Sequence, residues 1–508
     1  MAKKEDKQRF VLNLKLKTER FEEKILDKRF ELGRKIYNSV LGKSLNRYNE
    51  MSKTKRWRNN QFELSNIYKS KLGRIEFNKQ CTQYFYIKNE MLKEFRLTQY
   101  SLHEDVKMTQ HIFKGNIDSF TAQKIASRVW KSLEDNLFGK GEQVHFKGRN
   151  TMLNSLEDKS NKTGIRYDIE TNTFKWIGLK IETMISTNNQ YEINALKKKI
   201  CFCRVKRKFV RGRYKYIIQI GLEGVPPVKV NKGTGKIQNN IGIGTCGIDI
   251  GTQTVAYTSD YDVKLYELAP HVQNIENEKR RIQRLMDRSK RTSNPNNFNE
   301  NGTIKKGVKL EWKYSKKYCE VRNKLKDLHR KQTDIREQDH NVMANEIVKN
   351  CNVVYVEEMN FKGLQKRAKN TTTNEKTGKI NKKKRFGKSL ANKTPSKFLT
   401  ILDNKLKSKG GKYFEINTRQ VKASQYNHLN QQYNKKKLSQ RWNVFEYNGK
   451  QIKVQRDIYS SYLIKNINYD LCSIDFDKCS KGIDKFLEMH IKEILRLQVL
   501  DNLSSVGI

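Results

Sequence analysis

The amino-acid sequence predicts a multidomain α+β protein, in which a β-barrel is split by a helical insertion and followed by an α/β domain. Three observations lead to this prediction. A single strand with alternating apolar and polar residues opens the chain, a long helical segment follows it, and several basic strands come next. Downstream, strands and helices alternate around acidic residues, which is typical of an α/β fold.

Each element of this prediction depends on a periodic pattern. Apolar residues alternate with polar ones from Phe10 to Leu16, which indicates a half-exposed strand. They recur at helical spacing from Leu26 to Tyr48, and again from Ile117 to Phe138. After Gly141 the pattern returns to alternation with basic residues, so the chain is expected to pair as antiparallel strands with one positive, exposed face.

The predicted domain boundaries follow from these changes of pattern. The segment that contains Pro226 and Pro227 and the polar residues after it is typical of a linker. The predicted ranges are 1–20 for the first barrel strand, 21–140 for the helical insertion, 141–230 for the rest of the barrel, 231–240 for the linker, 241–420 for the α/β domain, 421–455 for a segment that is discussed below with the family resemblance, and 456–508 for the end of the α/β domain and a C-terminal helix.

The chain carries a large excess of positive charge. Its 508 residues include 104 Lys and Arg against 54 Asp and Glu, a formal net charge of +50. Such an excess favours a polyanionic partner, because each phosphate contact releases counterions. Nucleic acid is therefore the expected partner; a ribosome-like or simply lysine-rich protein is the alternative, and a basic membrane binder is less favoured.

Targeting signals and cysteine patterns restrict the expected location. The N-terminus has no apolar signal core, and no apolar run approaches the ~18 residues that a membrane span needs. The eight cysteines include no Cys-x-x-Cys pair, which argues against a disulfide framework or a zinc ribbon. We expect a cytoplasmic, nucleoid-associated bacterial protein that does not bind membranes.

Three acidic residues stand at positions where carboxylates need a partner. Asp249 lies within an apolar strand, on the face opposite Ile248 and Ile250, where an isolated charge requires an ion pair, a proton or a metal. Glu357 ends a β-branched strand, and Asp457 stands at the head of a helical segment. If these carboxylates converge in the fold, they form a hard-oxygen site suited to Mg²⁺ or Mn²⁺.

The segments around these acids carry a family resemblance. G-I-D-I-G, V-V-Y-V-E-E-M-N-F-K-G-L and R-D-I-Y-S-S-Y-L-I resemble, in this order, the three motifs of a RuvC-type nuclease domain. The chain is most similar to the TnpB family of transposon-encoded nucleases and to the compact type V CRISPR effectors related to them. The resemblance covers residues 247–464 well, and the N-terminal half in layout only. It implies a wedge barrel with a helical recognition insertion, followed by an RNase H-like nuclease domain.

The resemblance also implies a function. It implies an RNA-guided DNA endonuclease that pairs a guide RNA with target DNA beside a short flanking motif. Asp249, Glu357 and Asp457 would hold two Mg²⁺ ions, or Mn²⁺, for phosphodiester hydrolysis. The expected partners are a guide RNA and double-stranded and single-stranded target DNA, and a monomer is favoured. Two alternatives stay open, an RNA-guided transcriptional regulator without cleavage and an RNase H-like transposase.

Basic residues near aromatic ones are the predicted nucleic-acid contacts, because that mixture suits phosphate contact and base stacking. Solvated lysines at helix ends, on edge strands and in mobile loops are the alternative interpretation. The predicted contacts are Lys55, Arg56, Trp57, Arg58, Lys147, Arg149, Arg204, Lys206, Lys208, Arg211, Arg213, Lys383, Lys384 and Arg385.

The chain departs from the family pattern in one segment. A four-cysteine zinc ribbon usually precedes the third acid in the family, whereas residues 421–455 contain no cysteine and one histidine, His428. Tetrahedral zinc cannot be assembled from these residues, so no zinc is predicted.

Each acid also has a purely structural interpretation. Asp249 is then a strand-end cap, Glu357 an ion-pair partner of Lys362, and Asp457 the N-cap of the helix that follows. Glu358, next to Glu357 and on the opposite face of its strand, is the alternative to Glu357 as the second acid.

Overall fold

The computed structural model describes residues 8–70, 74–139, 141, 143–148, 153–186, 189–231, 233–367, 370–373, 386–437 and 440–499. The chain divides into two compact units, 1–227 and 228–508. None of the helices in these ranges combines the length and the hydropathy that a membrane span requires.

The first unit contains a sheet and a set of helices that follows its first strand. Its elements are β1 (Arg9–Leu16), α1 (Arg20–Lys53), α2 (Lys55–Lys69), α3 (Arg74–Glu94), α4 (Gln99–Ile112), α5 (Ser119–Leu137), β2 (Ser155–Glu157), β3 (Arg166–Asp168), β4 (Thr173–Trp176), β5 (Leu179–Met184), α6 (Gln190–Leu196), β6 (Ile200–Val210) and β7 (Arg213–Glu223).

Strands that are distant in sequence pair in this unit. Within the described residues, the strand order is β2-β6-β7-β1-β5-β4-β3. β1 pairs antiparallel with β7 from Arg9 opposite Glu223 to Lys15 opposite Ile217, although α1 to α5 lie between the two strands in sequence. The alternating Leu12, Leu14 and Leu16 are buried against the helices, as their period predicts. The predicted mixture of helices and strands in a multidomain chain is confirmed.

The second unit contains a mixed sheet with helices on both faces. Its elements are β8 (Thr245–Ile250), β9 (Thr254–Thr258), β10 (Val263–Glu267), α7 (Glu276–Thr292), α8 (Lys316–Asn350), β11 (Val353–Glu357), α9 (Phe361–Gln365), α10 (Gly387–Lys393), α11 (Pro395–Ser408), β12 (Lys412–Ile416), α12 (Thr418–Val421), β13 (Tyr426–Asn427), β14 (Gln432–Tyr433), β15 (Trp442–Tyr447), β16 (Lys450–Gln455), α13 (Arg456–Lys465) and α14 (Phe476–Val499).

The central sheet of this unit has the order β10-β9-β8-β11-β12 among the described residues. β8 is antiparallel to β9 and parallel to β11, and β11 is parallel to β12. Cys246, Ile248 and Ile250 of β8 belong to a core that includes residues of α8 and α11. The opposite face of β8 is covered by α13.

Gly247 allows α13 to approach β8 closely. A Cβ atom at this position would lie 2.1 Å from the backbone nitrogen of Lys465 and 2.2 Å from the backbone oxygen of Ser461. Any larger residue would therefore overlap the helix backbone rather than a mobile side chain. A hydrogen bond of 2.7 Å between the Ser461 hydroxyl and the Thr258 hydroxyl of β9 also joins α13 to the sheet. The position of α13 relative to β8 is thus fixed by backbone contact.

Residues 421–455 form two short hairpins, β13 with β14 and β15 with β16. Aromatic packing attaches them to α13, and the ring centroids of Phe445 and Tyr459 lie 4.8 Å apart. The ring nitrogen Nδ1 of buried His428 lies 2.6 Å from the Tyr459 hydroxyl. Burial lowers the pKa of His428 to about 4, so its imidazole is neutral and part of this packing.

Candidate active site

Two of the predicted acids stand at the same edge of the central sheet. Asp249 is the fifth residue of β8, and Glu357 is the last residue of β11. The two strands are parallel with Val356 opposite Ile248, so Glu357 and Asp249 follow at neighbouring positions. Asp249 lies on the face of β8 that α13 covers, since it alternates with Ile248 and Ile250. The carboxyl ends of two adjacent strands therefore present one acid each.

The third acid comes from the first turn of α13. The helix begins at Arg456, and its N-cap is Gln455, whose side chain accepts a hydrogen bond of 2.8 Å from the Ile458 backbone nitrogen. Asp457 is therefore the second residue of the helix, and its alternative interpretation as the N-cap is wrong. Since Gln455 caps the helix, the Asp457 carboxylate is available for other contacts.

The electrostatics of these residues show that the three acids are close together. Burial, followed by the negative charges of Glu357 and Asp457, raises the pKa of Asp249 well above its usual value. Burial and the charge of Asp457 raise the pKa of Glu357 to about 7. Such mutual repulsion arises when carboxylates share a site without enough compensating charge. The structure thus unites residues that lie 108 and 100 positions apart in sequence.

Two arginines hold the third acid. The Nε and Nη2 atoms of Arg456 donate hydrogen bonds of 2.9 and 2.8 Å to Oδ1 of Asp457, and Nη1 of Arg441 lies 3.7 Å from Oδ2. The positive charge of Arg456 also lowers the pKa of Asp249, against the larger effects that raise it. The acid cluster is therefore partly neutralised from the side of α13.

The carboxylates of Asp249, Glu357 and Asp457 are suitable ligands for a divalent cation, but they are not arranged around a single metal position. Among the described residues, no group of three His, Cys, Asp or Glu side chains stands in a ready metal-holding arrangement. Asp249 and Glu357 offer carboxylate oxygens whose mutual repulsion a cation would relieve. Asp457 can join them as a ligand once it exchanges its contact with Arg456 for the metal.

Glu358 and Lys362 belong to a neighbouring groove. They are exposed, and they line a polar cavity of about 840 Å³ next to the ends of β11 and β12, together with Phe361 and Arg419. No ion pair joins Glu357 to Lys362 among the described residues, so the structure gives no support to that alternative.

Sequence reasoning missed several residues that shape the site. Gly247 determines how closely α13 approaches, and the buried Ser460 hydroxyl lies near enough to Asp249 to lower its pKa slightly. Gly247 and Arg456 are the first residues of two of the quoted motifs, so their location could have indicated a role. Arg441 gave no such signal, because it lies outside the motifs, just before β15, and meets Asp457 only in the folded chain.

The predicted nucleic-acid contacts at the start of α2 have mixed surroundings. Lys55, Arg56 and Arg58 are exposed, with Arg56 3.2 Å from Glu94 in an ion pair. Trp57 is only 7% exposed, and its ring packs edge-on against Tyr48. The prediction that Trp57 stacks on bases is therefore contradicted, because its ring is used inside the helical packing.

The β6–β7 hairpin separates the remaining contacts of the first unit into two kinds. Lys206, Arg211 and Arg213 are exposed, and Lys208 is half-buried. Arg204 forms an ion pair with Glu157, so its guanidinium is already used within the sheet. We therefore correct the prediction for Arg204 to a structural role.

Lys147 is fixed to α1, since its backbone nitrogen donates to the Asn38 side chain at 2.8 Å and its ammonium lies 5.4 Å from the Tyr37 ring centroid. Its position still allows a phosphate contact by the ammonium group. The other predicted contacts, Arg149, Lys383, Lys384 and Arg385, lie outside the described residues.

Comparison with known proteins gives a limited set of similarities. No protein-family model matches the chain. No curated protein matches it either.

Two of the solved structures that are similar to the chain are nucleic-acid complexes or ternary complexes by their descriptions. One is described as a cryo-EM structure of the Cas12f1–sgRNA–target DNA complex, with a TM-score of 0.38 and 12% identity over 90% of this chain and 98% of that chain. The other is described as a cryo-EM structure of a CRISPR-Cas12f ternary complex, with a TM-score of 0.21 and 13% identity over 90% of this chain and 99% of that chain. These neighbours are compact type V CRISPR effectors, the class that the sequence motifs resemble.

Proposed function

We propose that this protein is an RNA-guided DNA endonuclease with Asp249, Glu357 and Asp457 as its catalytic acids. The observation that carries the proposal is the convergence of these three carboxyl groups from β8, β11 and α13. Burial and, after it, the charges of the neighbouring acids raise the pKa values of Asp249 and Glu357, which supports a shared site. Three acids that meet in this way lower the stability of the fold, and such clusters of perturbed acids are found at functional sites. Metal-assisted phosphodiester hydrolysis is the chemistry that uses them.

The fold supports the finer assignment to an RNase H-like nuclease domain. A central strand carries the first acid, an antiparallel pair lies on one side of it, and parallel strands lie on the other. The second acid ends the adjacent parallel strand, and a helix delivers the third. In the first unit, the sheet with its helical insertion supports assignment to a wedge barrel and a recognition lobe.

The proposed cofactor is a pair of Mg²⁺ ions, which Asp249, Glu357 and Asp457 would hold. Bound divalent ions of this kind activate water and stabilise the departing 3′ oxygen. Burial and the charge of Asp457 raise the pKa of Glu357 to about 7 in the metal-free site, so a cation that binds there near neutral pH would displace a proton from this carboxyl group. Arg456 and Arg441 place positive charge beside the acids, where a scissile phosphate requires it.

Sequence choice is proposed to come from a guide RNA. The net charge of +50 suits a protein that must neutralise both a structured RNA and an RNA–DNA heteroduplex. Guide pairing would select the target, and the protein would read only a short flanking motif.

Cleavage of a plasmid library in the presence of Mg²⁺ tests the proposal. The RNA that copurifies with the protein is first sequenced, so that the library contains the matching target. We expect the wild type to cut, and Asp249→Ala to bind guide and target with unchanged affinity but to cut at least 100-fold more slowly.

Adjacent acids of β11 provide a matched control. Glu357→Gln is expected to abolish cutting, whereas Glu358→Gln, which changes an exposed acid next to it, is expected to retain it. If Asp249→Ala cuts as fast as the wild type, the site assignment is wrong. If the wild type binds its target but never cuts, the protein is an RNA-guided regulator.

A further inference from the structure

The helix α7 exposes a row of four arginines. Arg280, Arg281, Arg284 and Arg288 are all exposed, and none of them forms an ion pair within the described part of the chain. With Asn277 and Leu285, they line an open concave surface of about 480 Å³. Neither the motifs nor the acid site accounts for these side chains.

Several other cations of α7 and α8 have acidic partners. On α8, Arg330 lies 2.7 Å from Asp327 and 2.8 Å from Asp334. On α7 itself, Arg291 pairs with Asp287 at 2.7 Å and Lys279 with Glu276 at 3.4 Å. Two of the three acids of α7 are therefore paired with cations outside the row, and the third, Glu278, forms no ion pair with the row within the described part of the chain.

The row stands on a helix that is held in place. Ile282, on the opposite face of α7, is buried against α8. At the end of the helix, the Ser289 and Ser315 hydroxyls lie 2.8 Å apart, and the Asn294 side chain donates to the backbone oxygens of Lys290 and Lys313 at 2.8 Å. The guanidinium groups are thus presented by an ordered α-hairpin, which lowers the entropy lost when a ligand binds.

The spacing of the row fits a polyphosphate backbone. Four residues of an α-helix rise about 6 Å, so Arg280, Arg284 and Arg288 cover about 12 Å along the axis of α7. One strand of a duplex has a phosphate every ~3.4 Å of its axis, which gives three to four phosphates over that length. Guanidinium groups bind phosphate oxygens through two parallel hydrogen bonds.

We propose that the arginine face of α7, defined by Arg280, Arg281, Arg284 and Arg288, binds the phosphate backbone of a nucleic-acid strand. The proposal rests on the proposed function only in taking nucleic acid as the partner, and it requires no cleavage. The backbone can come from the guide RNA or from the target DNA, and the experiment distinguishes the two.

The test compares two triple variants that lose the same charge. The first is Arg280→Gln, Arg284→Gln and Arg288→Gln. The control is Arg330→Gln, Lys331→Gln and Lys407→Gln, whose native cations each have an acidic partner on their own helix. Affinity is measured in Mg²⁺-free buffer from 50 to 400 mM salt, first for the copurifying RNA and then for target DNA with the RNA bound. Circular dichroism and thermal unfolding verify that both variants fold.

We expect the first variant to lower the slope of log affinity against log salt by about 2 to 3, in the RNA arm or in the DNA arm. The control should change this slope by less than about 1. If the two variants have equal slopes and affinities in both arms, the arginine face is only a solvated surface and the proposal is overturned. An inactive nuclease would not affect this result, because binding alone is measured.

Discussion

Substitution of Gly247 by alanine is the sharpest test of how the site is assembled. The added Cβ would lie 2.1 and 2.2 Å from backbone atoms of Lys465 and Ser461, whereas ordinary contacts begin near ~3.4 Å. The backbone of α13 would therefore have to move away from β8 by about 1.2 Å. No rotation of a side chain can relieve this overlap, because the atoms concerned belong to the helix backbone.

The displacement has two measurable consequences. Overpacking against backbone should lower the free energy of unfolding of the second unit by about 3 kcal/mol. Because α13 carries Asp457, a shift of about 1 Å should also slow cleavage about 100-fold, even at a temperature where the variant is fully folded. Chemical denaturation followed by far-UV circular dichroism measures the first effect, and single-turnover cleavage of target DNA measures the second.

Gly251→Ala provides the control, because a Cβ at Gly251 has its nearest neighbour at 3.4 Å, the Thr254 hydroxyl, and the residue lies at the end of the same strand. It should cost less than about 1 kcal/mol and leave the cleavage rate within a few-fold of the wild type. If Gly247→Ala is as stable and active as Gly251→Ala, the backbone contact does not position Asp457, and our reasoning about the assembly of the site fails.

Three further predictions concern charge and packing. Glu357→Gln should stabilise the metal-free protein at pH 8 by on the order of 2 kcal/mol, but not at pH 4. The pKa of Glu357 is about 7 in the folded protein, so ionisation of this carboxyl group lowers the stability of the fold as the pH rises from 4.5 to 7. Thermal unfolding at both pH values measures the difference. Trp57→Ala should cost about 3 kcal/mol, while Trp57→Phe leaves RNA affinity unchanged in filter binding, since the ring is buried. The double variant Arg211→Gln and Arg213→Gln should lower the salt slope for RNA by 1 to 2, whereas Arg204→Gln should destabilise the sheet without changing that slope.

The sequence was most informative where periodicity and chemistry coincide. Alternation around Asp249 predicted a strand with the acid opposite two buried isoleucines, and the structure has that arrangement. The pattern of the first strand likewise predicted a barrel strand followed by helices, and β1 does pair with later strands. Both predictions use side-chain direction along a strand, which the local sequence determines.

Contacts between residues that are distant in sequence were harder to predict from the sequence. Lys55 to Arg58 suggested an exposed basic patch with an aromatic residue, but the local sequence does not indicate that Tyr48 and the following helices bury Trp57. The alternation of the strand predicts an exposed face for Arg204, but its guanidinium forms an ion pair with Glu157 on the neighbouring strand. Composition alone therefore overestimates how many cations are available to a polyanion, because ion pairs form only after folding.

The second unit contains one group of arginines that form ion pairs with an acid and another group that do not. Arg456 and Arg441 hold Asp457, so the charge that they carry serves to make an acid cluster tolerable within the fold. Arg280, Arg281, Arg284 and Arg288 of α7 form no ion pair among the described residues, and all four are exposed. A nucleic acid that reaches the acid site brings phosphates, which compete with Asp457 for Arg456. Substrate binding would then favour metal binding by Asp457, and metal binding by Asp457 would favour substrate binding. Both events require the ion pair between Arg456 and Asp457 to break, so either one makes the other easier.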